Sequence, residues 1–185
     1  MKSPNKIVGV VLLLALLGMG AIYLNRPFNT RLAAYVTDLS SRTAEQRENI
    51  RRAASYISGD VLLSGESFSL NDRSGPYTEA RGFLPERSFR EKSVVMTSGG
   101  GVCQLASTLY NAVRLAGLKV VERVPHSLKV ESVPPGFDAT LAYGVADLKF
   151  KNPYPFPVKI VSKISQDQLQ VEIWGKESSH DGAKL

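Results

Sequence analysis

An α+β fold is predicted by three observations: two amphipathic helical segments, a later run of period-two segments, and Pro- or Gly-containing turns between them. Helices followed by consecutive strands do not match the alternating order of a parallel sheet. The expectation is therefore two main helices packed on a mostly antiparallel sheet, preceded by an N-terminal transmembrane helix. The chain has 185 residues, 43% hydrophobic and 22% charged. That is ordinary globular composition, with enough length for one domain and its own core.

Residues 1–6 carry Lys2 and Lys6 and read as a cytoplasmic n-region. Ile7 to Leu24, "IVGVVLLLALLGMGAIYL", is an uncharged run of 18 residues. It meets the lower end of the roughly 17–25 residues a helix needs to cross a bilayer. It also exceeds the signal-peptide core of about 7–15 residues. The reading is a single-pass signal-anchor over 7–24, with the membrane as a partner and the domain outside the cytoplasm. Gly18-Met19-Gly20 keeps a cleaved, secreted form open. No cysteine stands near the end of the run, which excludes a lipoprotein anchor.

Residues 25–42 read as a linker or short strand, 43–175 as the domain, and 176–185 as a polar tail. Residues 1–42 hold five basic side chains against Asp38, which accounts for +4 of the formal +6. The remainder is nearly neutral, and charge gives no support for nucleic-acid binding.

Thr43 to Ile57 is the first helix. Thr43 and Gln46 form a capping-box pair, Ile50, Ala53, Ala54 and Ile57 repeat at helical spacing, and Gly59 suits the position past the end. Val61 to Asn71 reads as strand and turn, and Asn71 to Gly82 as a polar loop containing Gly75-Pro76. Val102 to Ala116 is the second helix, with an apolar face of Val102, Leu105, Ala106, Leu109, Ala112, Val113 and Ala116, closed by Gly117. Strands are expected over Lys119–Val124, Ser127–Val133, Thr140–Tyr143, Asp147–Lys151, Val158–Ile164 and Leu169–Trp174.

Cys103 is the only cysteine. It rules out an internal disulfide and a multi-cysteine zinc site, and no metal or other cofactor is suggested. In the first turn of its helix the sulfur meets unpaired N–H groups and the positive end of the helix dipole. Such positions lower a cysteine pKa from about 8.5 toward roughly 3.5–7.5. Gly99, Gly100 and Gly101 permit backbone conformations closed to other residues and clear room for a substrate carbonyl. Their N–H groups can bind an oxyanion, and Gln104 offers a side-chain donor. His126, after Pro125 at the start of an expected strand, is the partner base, since His180 lies in the polar tail. Asp138 and Asp147 are both open as orienters of the imidazole. The competing reading makes Cys103 a small buried hydrophobe and the glycines a tight connection. A phosphate cradle is disfavoured, because "GGGVCQ" lacks the Lys-Ser/Thr of a P-loop.

The ordered series "GESFSLN" (65–71), "GGGVCQLASTLYNA" (99–112), "GLKVVERVPHS" (117–127), "VPPGFDAT" (133–140) and "DLKFKN" (147–152) resembles the VanW-like family of bacterial envelope proteins. The resemblance implies an exported cell-wall protein, named for an accessory of glycopeptide (vancomycin) resistance and found mostly in Gram-positive bacteria. Some members are linked to peptidoglycan L,D-transpeptidation, forming 3–3 cross-links through a cysteine. It places the family's cysteine on Cys103, its His-Ser pair on His126 and Ser127, and its acidic positions on Asp138 and Asp147. Ala106, where the family pattern has a hydroxyl residue, and Phe137 depart from it. The implied activity is acyl transfer on peptidoglycan stem peptides, without a cofactor. The alternative is a non-catalytic envelope binding or scaffold protein.

Overall fold

The computed structural model describes residues 28–90 and 93–176. These residues form a mixed α/β fold with three α-helices, which corrects the expected architecture on two counts. First, among the described residues no helix is long and apolar enough to cross a membrane. The N-terminal transmembrane helix is therefore not part of the described fold. The segment 7–24 that the sequence marks for it lies outside the described residues, as do 1–6 and the tail from residue 177 with His180. Second, the helices are three rather than two, and the strands divide among three sheets rather than one.

The elements in chain order begin with β1 (Thr30–Asp38), α1 (Ala44–Ile57), β2 (Val61–Leu62), β3 (Ser67–Ser69) and α2 (Leu70–Ser74). A hairpin of β4 (Pro85–Arg90) and β5 (Ser93–Ser98) leads to α3 (Val102–Leu115). Then come β6 (Lys119–Arg123), β7 (Leu148–Lys151), β8 (Val158–Ser165) and β9 (Gln168–Gly175). The first sheet has the order β1-β9-β8-β2, the second β3-β7-β6, and the third is the β4-β5 hairpin. Every pairing is antiparallel. The segment left open between linker and strand supplies β1, which pairs along β9 from Thr30 opposite Gly175 to Asp38 opposite Gln168.

The local chemistry explains these elements. Thr43 caps α1 by accepting from the Gln46 N–H at 3.2 Å, and Gly59 follows the helix at φ +102°. Ser69 caps α2 in the same way, accepting from Asp72 N–H at 3.1 Å. Five residues are too few to show a helical period, so this helix was hidden in an apparent loop. Ser127–Val133 alternates like a strand but has no partner strand and stays irregular, with Leu128 left 81% exposed. Thr140–Tyr143 reduces to a single bridge between Ala142 and Ala146.

Helix α3 is the structural centre. It packs against β1 and β9 of the first sheet, against β6 and β7 of the second, and against α1. Leu105, Ala106, Leu109, Ala112 and Val113 are fully buried. Its buried polar residues are satisfied locally. Thr108 Oγ1 donates to Gln104 O at 2.7 Å, Ser107 Oγ to Cys103 O at 2.9 Å, and Asn111 Nδ2 to Ser107 O at 2.8 Å. Back-bonding of this kind removes the cost of burying hydroxyls and amides. In the second sheet Phe68 and Phe150 stand opposite each other with ring centroids 4.7 Å apart.

Candidate functional site

The glycine run is built for close packing. Gly99 and Gly101 have φ of +81° and +95°, a region that favours glycine. A Cβ on Gly99 would stand 2.5 Å from Tyr77 Cβ, and one on Gly100 2.7 Å from Glu86 Cβ. On Gly101 it would meet Gln46 Cβ at 3.1 Å and the Gln46 carbonyl at 3.2 Å. On its Cβ side the loop is therefore packed against the protein's own Tyr77, Glu86 and Gln46. Buried Asn49 fixes the loop from α1: its Nδ2 donates to Leu84 O at 3.0 Å and Gly100 O at 3.2 Å, and its Oδ1 accepts from Leu84 N–H at 2.7 Å.

This loop delivers the chain into α3 with Gly101 at the cap and no side-chain cap bond. Cys103 is the second residue of the helix. The N–H of Gly99 is spent on Leu84 O at 3.3 Å. Those of Gly100, Gly101 and Cys103 have no acceptor among the described residues, which leaves them for an incoming anion. The Cys103 sulfur is half-buried and accepts from the Leu141 N–H at 3.3 Å, with the Leu141 carbonyl at 3.5 Å.

His126 and Cys103 line one cavity of about 170 Å³ together with Arg42, Gly101, Val130 and Ser132. The histidine is held from behind by Asp138. Asp138 Oδ2 accepts the His126 main-chain N–H at 2.6 Å and contacts Nδ1 at 2.8 Å. Its Oδ1 accepts from Arg123 Nη2 at 2.8 Å, while Arg123 Nε donates to the Asp138 carbonyl at 2.6 Å. With Nδ1 on the carboxylate, Nε2 is the ring nitrogen left to face the thiol. The neighbouring Cys103 sulfur is the largest influence holding His126 above its ordinary pKa. Burial opposes it and Asp138 adds to the rise. Burial alone would raise Asp138; the two N–H groups of His126, helped by Arg123, instead hold its carboxyl below the usual range. A half-buried sulfur and a histidine raised in this way, sharing one cavity, are the components of a nucleophile–base pair.

Of the two acidic residues left open by the sequence, Asp138 contacts the imidazole. Asp147 is committed elsewhere: it accepts from Ser69 Oγ at 2.6 Å, Asn71 N–H at 3.0 Å and Leu148 N–H at 2.8 Å. It borders a different and larger cavity, about 340 Å³, with Asp72, Glu122, Tyr143 and Lys149. The larger cavity is not the one at the thiol. Gln104 is also not free to serve a substrate, since both its amide protons go to Thr37 Oγ1 (3.1 Å) and Asp38 O (2.7 Å). Ser127 is exposed next to His126, with no side-chain hydrogen bond among the described residues. Ala106 lies in the core, and the Phe137 ring packs under the Arg114 guanidinium at 4.5 Å.

Four contributors were not singled out from the sequence. Asn49 staples the glycine loop, Arg123 holds Asp138, and Leu141 meets the sulfur through its main chain. Ser107 ties α3 to the acidic loop by accepting from Ala139 N–H at 3.0 Å. Arg123 lies inside the motif "GLKVVERVPHS", and Asn49 is a polar residue on the apolar side of α1. The role of Leu141 carries no side-chain signal at all. Among the described residues no group of three or more His, Cys, Asp and Glu side chains could hold a metal ion.

A family model described as VanW-like protein matches residues 45–174. The chain is 38% identical over 133 residues to a protein named uncharacterized protein YoaR from Bacillus subtilis (strain 168), covering 72% of this chain and 44% of that protein. It is 28% identical over 115 residues to the vancomycin B-type resistance protein VanW of Enterococcus faecalis (strain ATCC 700802 / V583), covering 56% of this chain and 40% of that one. The chain thus spans less than half the length of the curated relatives it matches. No solved structure matches it.

Proposed function

The chain belongs to the VanW-like family, and from that premise we propose that it is a cell-wall enzyme acting outside the cytoplasm, with Cys103 as the nucleophile of acyl transfer on peptidoglycan stem peptides. The observation that carries the reading is the line Cys103–His126–Asp138. A sulfur at a helix N-terminus and a raised imidazole share one cavity, and a carboxylate 2.8 Å from Nδ1 orients the ring.

In this reading the Cys103 thiolate attacks the carbonyl carbon between an L-centre and the following D-residue. The S–C bond forms, and charge moves onto an oxygen faced by the free N–H groups of Gly101 and Cys103. The C–N bond then breaks as His126 gives its proton to the leaving nitrogen, leaving a thioester on Cys103. An acceptor amine of a second stem attacks the thioester and loses its proton to His126. The new amide is a 3–3 cross-link, and the thiolate–imidazolium pair is regenerated. Asp138 keeps the ring in the orientation both proton transfers need, and its own charge is balanced by Arg123.

The test is replacement of Cys103 by alanine, with muropeptides analysed by mass spectrometry. Loss of 3–3 dimers relative to wild type is expected. Unchanged dimer content, with the wild type active in the same assay, would sink the reading. That outcome would favour a second reading, a non-catalytic envelope protein accessory to vancomycin resistance, which the name of the Enterococcus relative supports.

A further inference from the structure

The acyl-transfer scheme leaves one charged group of the thiol cavity unused. Arg42 lines that cavity beside Cys103 and His126. Its Nε donates to Gln104 Oε1 at 2.5 Å, and Gln104 is itself fixed by Thr37 and Asp38. Its main chain is held on both sides: the N–H donates to Leu39 O at 2.9 Å, and the carbonyl accepts from Arg47 Nε at 3.1 Å. The stem is therefore set, and the outer two nitrogens, Nη1 and Nη2, have no acceptor among the described residues.

The other half-buried arginines among the described residues are engaged: Arg47 with Asp167, Arg52 with Glu48, Arg123 with Asp138, and Arg81 over the Tyr56 ring. No carboxylate of the described residues lies within ion-pair distance of Arg42. Asp138, the carboxylate behind His126, is already matched by Arg123. Arg42 thus brings the cavity a positive charge with no counter-ion among the described residues, presented as a planar fork that suits a carboxylate. The cavity, at about 170 Å³, is also smaller than the roughly 300–1,000 Å³ of clefts that enclose larger ligands. It matches the end of a peptide better than its middle.

We propose that Arg42 binds the free α-carboxylate of the donor's terminal residue, so that the scissile carbonyl one residue earlier is placed on Cys103. This rests on the acyl-transfer reading and specifies its donor: the leaving group is a single C-terminal amino acid. It departs as the free amino acid, its nitrogen protonated by His126 and its carboxylate on Arg42. A donor extended by another residue, or capped as an amide, loses the contact. Arg42 is a specificity-determining residue.

The experiment compares alkylation of the folded chain by iodoacetate, which carries a carboxylate, and by neutral iodoacetamide. In Arg42→Gln the ratio of the iodoacetate rate to the iodoacetamide rate is expected to fall about ten-fold, as expected for loss of one charge-assisted pair. The iodoacetamide rate falls less than the iodoacetate rate, since the neutral reagent has no carboxylate to lose its partner, and Arg42→Lys retains an intermediate ratio. The lysine variant also serves if the glutamine variant does not fold. A ratio unchanged in Arg42→Gln, or both rates changing in parallel, overturns the proposal while leaving Cys103 a reactive nucleophile. A wild-type thiol inert to both reagents until the chain is unfolded overturns the acyl-transfer reading together with it.

Discussion

If Cys103 and His126 carry out the proposed acyl transfer, replacing Asp138 by asparagine is expected to lower its rate by about 10²–10⁴-fold, the range for a base that loses the group orienting it. The carboxylate does three things at once. It accepts the main-chain N–H of His126, contacts Nδ1, and receives Arg123 Nη2. An asparagine side chain has one accepting oxygen. Turned toward His126, it leaves an NH₂ against the Arg123 guanidinium. Turned toward Arg123, it points donors at the His126 main-chain N–H and demands the opposite ring tautomer. Either way the imidazole is no longer held with its protonated Nδ1 on a negative charge, and the pKa of His126 falls. Asp147→Asn is the control, because Asp147 serves Ser69, Asn71 and Leu148 instead. Turnover of purified variants on a stem-peptide donor, with circular dichroism to check folding, decides the matter. Equal loss in the two variants would show that the effect is general destabilisation and not orientation of the ring.

Gly99→Ala lowers stability by about 2–5 kcal/mol, combining the cost of a side chain at positive φ with overpacking of a filled site. The backbone at φ +81° already disfavours any residue with a Cβ. The added methyl meets Tyr77 Cβ at 2.5 Å, an atom next to the backbone that cannot swing aside. Gly136 is the internal comparison. Its φ is +85°, but a Cβ there would meet nothing within 4 Å. Gly136→Ala carries only the conformational cost, about 1–2 kcal/mol. Urea unfolding of the two variants separates strain from crowding. Equal losses would mean that Tyr77 does not constrain the loop.

That contrast shows how much of the site could be read from the sequence. The run of glycines marks a place where side chains are not tolerated, and Cys103 in the first turn after it follows from the apolar period of α3. The reason glycine is required does not. It lies in Tyr77, Glu86 and Gln46, residues distant in sequence that approach only in the folded chain. The same limit governs the choice of carboxylate. Asp138 is 12 residues from His126 and Asp147 only nine further on, and nothing local separates them until loop and strand are placed. Elements with a period or a cap were legible: α1 through Thr43, α3 through its apolar face, β6 to β9 through alternation. Those without were not. The β4–β5 hairpin lacks an Asn-Gly or Asp-Gly turn, α2 is a single capped turn, and 127–133 alternates without a strand to pair with.

The central claim is that Cys103 carries the acyl group. Intact-mass analysis of the purified chain mixed with a stem peptide ending in one D-residue after an L-centre tests it most directly. The account predicts an adduct with the mass of the donor less its released amino acid. Proteolysis places it on the peptide containing Cys103, and Cys103→Ala lacks it. Formation of cross-linked product by a wild-type sample in which Cys103 stays unmodified at every time point, or equal product from Cys103→Ala, would contradict it.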